Sequence, residues 1–259
     1  MEKTRLWADV GMSKKGNIDK EIIYGKNACF GCMVGRNREI FSICILQSKF
    51  DEYYKSVPND LRHLVKKCNA HDIFVLTHEQ DKHQGIAMSV SRYRFCAVEN
   101  LVEQRDKNAI FLLDRVQDPH NVGNIIRTAF CFDVSAIILP ERDACGITSA
   151  VVRTSAGYSE QMKICQVNNV GQALDKLKKS GYWVIGFDVN TNTKDSLSEV
   201  VGKYDKCVFV FGSEGEGMRE LTKKSCDVLL RLPMRAGAES LNVANTAAIV
   251  GWEWFGKNK

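Results

Sequence analysis

The sequence lacks long apolar segments. Its longest mainly apolar runs, such as residues 109–113 and 134–139, contain five or six residues, whereas a helix needs roughly 20 to cross a bilayer. The first ten residues carry both charge signs and contain no apolar stretch followed by a small-residue cleavage site. These absences argue against a membrane-spanning or secreted protein, and we expect a cytoplasmic one.

The ten cysteines do not form a regular framework, because they are scattered and lie mostly inside apolar stretches. Cys29 and Cys32 form the only CxxC motif, and no second CxxC or spaced histidine pair accompanies it. A structural zinc site would need those further ligands. We therefore interpret the two thiols as reduced core residues on one face of a helix, and we expect no bound metal.

Several common nucleotide-binding and hydrolytic motifs are also missing. The glycines of residues 212–217 are spaced GxxGxG rather than GxGxxG, and the segment lacks the lysine of a phosphate-binding loop. Its two glutamates would repel phosphate but tolerate a cationic ligand. Ser240 has no GxSxG elbow around it and no histidine after it. Dehydrogenase, NTPase and serine hydrolase functions are therefore disfavoured.

What the sequence does contain is ordinary globular composition, 44% hydrophobic and 26% charged, with an uneven charge distribution. Residues 1–98 hold 16 basic and 11 acidic residues, whereas residues 99–259 hold 20 of each. The whole net charge of +5 therefore lies in the first part. That distribution suits a polyanion-binding module attached to a neutral enzyme, and a solvated basic surface without a partner is the alternative.

The first part of the chain predicts a mobile basic tail and a small domain. Residues 1–19 are polar and without period. Residues 20–97 predict a small α/β domain: the segment GKNACFGCMVG favours a helix, EIFSICIL, IFVLT and GIAMSVS favour strands, and the stretch between the first two of these strands favours one or two helices. Residues 98–108 are polar and charged, which is typical of a linker.

Residues 109–259 alternate regularly between strand and helix patterns, from AIFLLDRV to the closing helix SLNVANTAAIVGWEWFG. This alternation predicts a parallel α/β sheet covered on both faces. In such sheets ligands bind beyond the carboxyl ends of the strands. Three loops at those positions are unusual in composition: residues 118–124, residues 211–217 and residues 232–242.

Each loop has a simple structural interpretation as well as a functional one. In the first loop, Asn121 and Arg127 can point from a helix start toward an anion such as an RNA phosphate. Alternatively, Asn121 is a helix N-cap and Arg127 a surface charge. In the third loop, Ser240 can be an N-cap and nothing more. Taken one at a time, the loops do not decide between these interpretations.

Taken together, the three loops resemble the three signature motifs of the SpoU (TrmH) branch of the SPOUT methyltransferases. NVGNIIRTA matches the first motif, VFVFGSEGEGMRELTKKSCDVLLRLPM the second, and ESLNVANTAAIV the third. The match covers about 150 residues, in order and at family spacing. The resemblance implies S-adenosylmethionine-dependent methylation of an RNA ribose 2'-hydroxyl, a trefoil-knotted carboxyl-terminal domain and a homodimer.

The resemblance also implies the site residues. Matching residue by residue, the cofactor contacts would come from Gly212, Leu232 and Leu241, and no metal is needed. The acceptor side would be lined by Asn121, Arg127, Glu214, Ser240 and Asn242. Asn121 would orient the ribose, Ser240 and Asn242 would shape the pocket, and Arg127 would hold an RNA phosphate. An arginine is always protonated, so the general base stays open between Arg127, Glu214 and a water molecule.

The first domain is similar to the ribosomal-protein-like domain that precedes this catalytic unit in ribosomal RNA ribose methyltransferases. This similarity favours ribosomal RNA as the substrate, and the resemblance to this branch implies guanosine as the commoner target nucleotide. A transfer RNA ribose methyltransferase is the first alternative. A non-catalytic RNA-binding protein that keeps the knot is the second, and it would be expected to lose Asn121, Arg127, Glu214 or Asn242, all of which are present.

Overall fold

The computed structural model describes residues 20–102, 106–193 and 195–258. It contains a four-stranded sheet built from the first part of the chain and a six-stranded sheet built from the second. The predicted tail, residues 1–19, lies outside the described residues. Within the described part of the chain, no helix is long and apolar enough to span a bilayer.

The four-stranded sheet, called here the front sheet, has the order β1-β4-β2-β3. Its strands are β1 (Lys20–Tyr24), β2 (Ile40–Leu46), β3 (Val65–Cys68) and β4 (Ile86–Ser91). Strand β4 runs antiparallel to β1 and β2, and β3 runs parallel to β2. Three helices accompany it: α1 (Lys26–Gly35), α2 (Phe50–Tyr54) and α3 (Ala70–Thr77). This part is therefore α/β, as its pattern predicted.

Two predictions for the front sheet were wrong. The segment IFVLT lies in helix α3 rather than in a strand, because a capping box starts a helix just before it. The side chain of Asn69 accepts a hydrogen bond of 2.9 Å from the amide of Asp72, whose carboxylate accepts one of 3.0 Å from the amide of Asn69. Val65–Cys68, predicted as helix, forms edge strand β3, and strand β1 was not predicted.

The six-stranded sheet, called the rear sheet, is entirely parallel, as the alternation predicted. Its strands are β5 (Asn108–Asp114), β6 (Ala136–Pro140), β7 (Lys163–Val167), β8 (Trp183–Phe187), β9 (Lys206–Gly212) and β10 (Val228–Leu230), in the order β10-β8-β9-β5-β6-β7. The central strands β5 and β9 are apolar between their end residues, and every residue of β5 is buried. Burial on both faces explains the continuous apolar runs.

Helices cover the rear sheet: α4 (Pro119–Cys131), α5 (Ser149–Thr154), α6 (Val170–Lys179), α7 (Leu197–Lys203), α8 (Glu220–Lys224) and α9 (Val243–Lys257). Helices α4 and α9 pack against each other. Strand β7 and helix α7 were not predicted. Both are so short, five and seven residues, that their apolar residues do not repeat often enough to show a strand or helix pattern.

Helix α1 of the first part packs against the segment after α5 of the second part through a contact too close for side chains. A Cβ atom on Gly31 of α1 would lie 2.4 Å from the carbonyl oxygen of Gly157. Next to it, the side chains of Arg38 and Glu160 are both fully buried and form an ion pair at 3.0 Å. The guanidinium of Arg38 also lies over the ring of Tyr93. Buried residues of both parts form one continuous apolar core.

The predicted linker, residues 98–108, is partly packed in the described residues. Val98–Leu101 forms a 3-10 turn, and Leu101 is buried. Just before it, the amide of Cys96 donates a 2.9 Å hydrogen bond to the carbonyl of Ile164. The chain between the two sheets thus runs along β7.

None of the ten cysteines forms a disulfide bond, and six of them, including Cys29 and Cys32, are buried. Cys29 and Cys32 share the buried face of α1, and both are 0% exposed. Burial raises the pKa of the Cys32 thiol to about 12, so this thiol stays protonated at neutral pH. Among the described residues, no group of histidine, cysteine and acidic side chains is arranged to hold a metal ion.

Candidate cofactor and acceptor site

The three unusual loops come together at one edge of the rear sheet, where the carboxyl ends of parallel strands must meet. Along this edge the strand order is β10, β8, β9 and β5. The loop after β9, residues 213–219, therefore lies between the loops after β5 and β8. Adjacent strands are about 4.8 Å apart, so polar side chains from these loops are within contact distance.

Three side chains, one from each loop, form a hydrogen-bonded cluster. The amide nitrogen of Asn121 donates to Oε1 of Glu214 at 3.0 Å. The amide nitrogen of Asn242 donates to the same carboxylate oxygen and, at 3.2 Å, to Oδ1 of Asn121. Residues separated by up to 121 positions in the chain are thus joined in one polar site.

Helix caps hold the two asparagines in place. Asp118, rather than Asn121, caps helix α4: its carboxylate accepts from the amide of His120 at 3.0 Å. Asn242, rather than Ser240, caps helix α9, with its Oδ1 accepting from the amide of Ala244 at 2.9 Å. Both N-cap alternatives raised by the sequence were therefore wrong. Asn121 is free to face Glu214, and Asn242 both caps its helix and binds Glu214.

A cavity of about 170 Å³, called here the first cavity, lies between the loops after β8, β9 and β10 and the start of α9, and it is partly open to solvent. Apolar walls come from Phe187, Met218 and Leu230. The predicted cofactor residues all line it, as does predicted Ser240: Gly212, Leu232, Ser240 and Leu241. This cavity is shaped for a ligand with a large apolar part and polar ends.

The second cavity, of about 410 Å³, lies on the β5 side of the same loop and is lined by Asn121. Glu214 borders both cavities. The polar cluster therefore stands at the boundary between them. A reaction between one molecule in each cavity would take place at this carboxylate.

Gly212 is required by the chain itself. A Cβ atom on Gly212 would lie 2.3 Å from the carbonyl carbon of Gly217 and from the amide of Met218. Ser213 and Gly217 exchange two backbone hydrogen bonds, of 3.2 and 3.0 Å, which close this tight turn. A side chain at Gly212 would displace the loop before it reached any ligand, so the glycine shapes the cavity indirectly.

A buried carboxylate anchors the end of the same loop. Asp114, the last residue of β5, is 0% exposed and accepts a hydrogen bond of 2.9 Å from the amide of Arg219. The side chain of Arg219 lies 3.5 Å from Asp114 and 3.2 Å from Asp143. This network, which the sequence analysis missed, fixes the loop that carries Glu214.

An ion pair on the cavity wall was also missed. Nζ of Lys223 lies 2.8 Å from Oδ2 of Asp188, and both residues line the first cavity. Although desolvation opposes ionisation, hydrogen bonds from Lys223 and the amide of Asn190 lower the pKa of Asp188. Asp188 follows β8 at the carboxyl edge, and that position was the available sequence signal.

Arg127 does not join this cluster within one chain. It lies six residues after Asn121 on α4, which at about 100° per residue places it roughly 240° around the helix axis. Asn121 is buried and Arg127 is exposed, and the side chain of Arg127 makes no hydrogen bond or ion pair with another residue in the described ranges. The structure therefore brings together all the predicted acceptor-side and cofactor residues except Arg127.

The sequence is similar to known RNA methyltransferases. The chain is 32% identical over 243 residues to the 23S rRNA (guanosine-2'-O-)-methyltransferase RlmB of Coxiella burnetii, covering 89% of this chain and 93% of that protein. It is 37% identical over 187 residues to an uncharacterized tRNA/rRNA methyltransferase of Synechocystis. That match covers 70% of this chain and spans about half, 47%, of the Synechocystis protein.

The fold is similar to solved structures over both sheets. An AdoMet-bound rRNA methyltransferase from Sinorhizobium meliloti superposes with a TM-score of 0.77 at 20% identity, covering 93% of this chain and 88% of that one. At this identity the likeness shows the fold alone. The model of the SpoU rRNA Methylase family matches residues 108–252, which contain the three loops and the whole polar cluster. The chain belongs to the SpoU rRNA methylase family.

Proposed function

We propose that this protein transfers a methyl group from S-adenosylmethionine to a ribose 2'-hydroxyl of RNA. The observation that carries the proposal is the cluster of Asn121, Glu214 and Asn242, which stands between two cavities. The first cavity suits the cofactor and the second cavity suits the acceptor nucleotide. Family membership and the AdoMet-bound neighbour of the same fold support this assignment.

The chemistry of its walls makes the first cavity suitable for S-adenosylmethionine. Apolar walls from Phe187 and Leu230 suit the adenine ring, and the ion pair of Asp188 and Lys223 offers an acceptor and a donor to polar groups. The carboxylate of Glu214 suits a nearby positive charge. The cofactor supplies a methyl group on a positively charged sulfur, an electrophile that needs no metal ion.

The residues of the cluster align the acceptor and assist removal of one proton. Oε1 of Glu214 is held by two amide groups, and we assign its other oxygen to the hydrogen of the ribose hydroxyl. Asn121 and Asn242 keep the carboxylate in that orientation, and Ser240 shapes the cavity wall. This assignment resolves the choice of base in favour of Glu214, with Arg127 binding RNA phosphate.

The position of Arg127 supports the homodimer that the family resemblance implied. Phe130 on α4 and Ile249 and Trp252 on α9 are 39%, 45% and 64% exposed. Large apolar side chains exposed on two adjoining helices are typical of a protein interface. We propose that two copies meet on this α4–α9 face, so that Arg127 of each copy serves the acceptor cavity of the other.

Ribosomal RNA is the proposed substrate and guanosine the proposed nucleotide. The RlmB relative, whose name specifies 23S rRNA and guanosine-2'-O-methylation, is matched along 93% of its length, including the front part. The basic excess of residues 1–98 supports RNA binding by residues 20–97. Likeness to these bacterial enzymes also supports a cytoplasmic location. Transfer RNA stays the alternative substrate.

We also propose that the carboxyl-terminal part is a trefoil knot. Strand β10 pairs with β8 rather than with β9, and the chain must then return across the loop after β9 to begin α9 beside α4. A segment that crosses a neighbouring loop in this way is what a knotted connection requires. A crystal structure would test the knot by showing whether residues 231–258 pass through the loop that residues 187–217 form.

The reaction is tested by incubating the full chain with methyl-labelled S-adenosylmethionine and, separately, protein-free ribosomal RNA or total transfer RNA. A 2'-O-methyl group blocks alkaline cleavage of the following phosphodiester bond, so the labelled position can be mapped. We expect label in ribosomal RNA at a guanosine. Label in transfer RNA alone would select the alternative substrate, and label in neither would overturn the proposed reaction.

A further inference from the structure

The backbone of Arg115 adopts a conformation that usually belongs to glycine. Its φ angle is 66°, in the left-handed region that costs a residue with a Cβ atom roughly 1 kcal/mol. Arg115 follows β5 directly and lines the second cavity together with Asn121 and Glu214. Strained residues at a cavity are often held there for the sake of their side chains.

The chain on both sides prevents Arg115 from relaxing. On one side, Asp114 is fully buried and its carboxylate accepts the amide of Arg219. On the other, Val116 is 2% exposed and its carbonyl accepts the amide of Cys145 at 3.2 Å. Because both neighbours are fixed, the left-handed conformation is imposed, and a glycine would satisfy it without strain.

The present partner of Arg115 does not account for an arginine at this position. Its guanidinium pairs with Glu216, on the loop after β9, and the two side chains are 32% and 68% exposed. An ion pair this accessible to water contributes about 0–1 kcal/mol, which at best offsets the backbone strain. The gain from the side chain must therefore come from another contact.

The charges around the second cavity indicate what that contact is. Among the described residues that line it, Arg115 is the one basic residue, beside the acidic Asp118, Glu214 and Glu216. An RNA strand entering this cavity brings further negative charge. Within one copy, the phosphates would meet carboxylates alone without Arg115, because Arg127 lies on the outer face of α4 and serves the other copy.

We propose that Arg115 binds a phosphate of the acceptor RNA strand, exchanging its ion pair with Glu216 for that phosphate when RNA enters. The planar guanidinium donates two parallel hydrogen bonds to phosphate oxygens, which a lysine cannot do. This inference rests on the proposed function, since it takes RNA to be the acceptor. It assigns a substrate-binding residue outside the three sequence motifs.

The test compares Arg115→Gly with Lys179→Ala in the full chain. Lys179 is an exposed residue near the end of α6, so its loss matches the charge change. The probe is an unmodified 23S ribosomal RNA transcript, with affinity measured by filter binding across salt concentrations. For Arg115→Gly we expect about tenfold weaker binding, or roughly 1.4 kcal/mol, and a salt slope smaller by about 0.7–0.9.

Folding and the cofactor site should be unaffected by Arg115→Gly. Because glycine removes the strain, the unfolding temperature should not fall, and affinity for S-adenosylhomocysteine should stay within twofold of wild type. Glu216→Gln should strengthen RNA binding, since it removes the competing carboxylate. Wild-type RNA affinity and salt slope in Arg115→Gly would overturn the proposal, as would equal losses in Lys179→Ala.

The outcomes separate this inference from the proposed reaction. If the wild type methylates no RNA but Arg115→Gly still weakens transcript binding, the phosphate contact stands and the reaction fails. If the wild type methylates RNA and Arg115→Gly binds and reacts normally, the reaction stands and the contact fails.

Discussion

The amide of Asn121 donates a 3.0 Å hydrogen bond to the carboxylate of Glu214, although 93 residues separate them in the chain. Asn121 is buried in the first turn of α4, whereas Glu214 lies on the exposed turn after β9. Their contact closes the boundary between the two cavities. It also fixes which carboxylate oxygen is left for the acceptor.

We expect Asn121→Ala to lower the rate of methyl transfer by about 100-fold, which corresponds to roughly 2.7 kcal/mol of barrier. The variant loses one of the two amide donors that orient Glu214 and leaves the walls of the first cavity unchanged. Single-turnover transfer to saturating RNA measures the rate, and calorimetry with S-adenosylhomocysteine should give unchanged affinity. Asn124→Ala, on the exposed face of the same helix, is the matched control. Equal rates for the two variants would remove Asn121 from the site.

Arg38→Met is expected to destabilise the fold by about 3–5 kcal/mol, because it leaves the carboxylate of Glu160 buried and unpaired. The double variant Arg38→Met/Glu160→Met should recover much of that loss. Urea unfolding at pH 7 measures both free energies of unfolding. A loss below about 1 kcal/mol in the single variant, as for a surface pair, would show that the two sheets do not depend on this ion pair.

The loss in Arg38→Met should shrink as the pH falls. Burial already raises the pKa of Glu160, and Arg38 opposes that shift, so removing Arg38 raises the pKa further. When a carboxyl has a higher pKa in the folded state than in the unfolded state, its protonation stabilises the folded state. The free energy of unfolding of the variant therefore increases as pH falls from 7 toward about 4.3, the ordinary pKa of a glutamate in the unfolded chain. Unfolding curves at pH 7 and pH 5 test this sign. A penalty that grows at pH 5 would contradict it.

Two aromatic rings and two basic groups lie together in the front part, which is proposed to bind RNA. The rings of Phe50 and Tyr54 stack at 5.0 Å, with Lys67 4.2 Å above the first ring and Arg62 5.2 Å above the second. Because two basic groups are lost, Arg62→Gln/Lys67→Gln should reduce the salt slope of RNA binding by about 1.4–1.8. Lys179→Gln, far from this surface, should reduce it by less than half as much. Equal slopes would place RNA elsewhere.

A polyanion-binding module attached to a neutral enzyme, which the charge distribution suggests, would allow residues 1–98 to be deleted without unfolding the rear part. The close approach of Gly31 to Gly157 and the shared core predict instead that deletion exposes apolar surface and unfolds the chain. Charge substitutions leave that contact intact.

Trp252→Glu should convert a dimer into monomers, because Trp252 is 64% exposed on the proposed interface. Light scattering after size-exclusion chromatography measures the mass. If Arg127 serves the other copy, the monomer should lose methyl transfer and keep its folded spectrum. Leu221→Glu, at a residue 77% exposed on α8, is the control. A monomeric wild type, or a fully active monomeric variant, would contradict the dimer assignment.

The sequence predicted the rear sheet well, because strands buried on both faces produce runs such as β5 and β9 that have no competing interpretation. It failed at α3, where the capping box of Asn69 outweighed an apolar run. It also missed the anchor between Asp114 and Arg219, which depends on strand order and not on spacing. Arg127 was placed correctly on α4, but its direction follows from helix phase relative to Asn121, which the motif alone does not specify.

The most direct test of the account identifies the modified nucleoside itself. Ribosomal RNA is incubated with the full chain and S-adenosylmethionine, digested to nucleosides and analysed by mass spectrometry. We expect 2'-O-methylguanosine with the wild type and with Glu220→Gln, whose carboxylate is exposed on α8, and none above background with Glu214→Gln. A base-methylated nucleoside, or undiminished ribose methylation by Glu214→Gln, would contradict the central claim that this carboxylate directs methyl transfer to ribose.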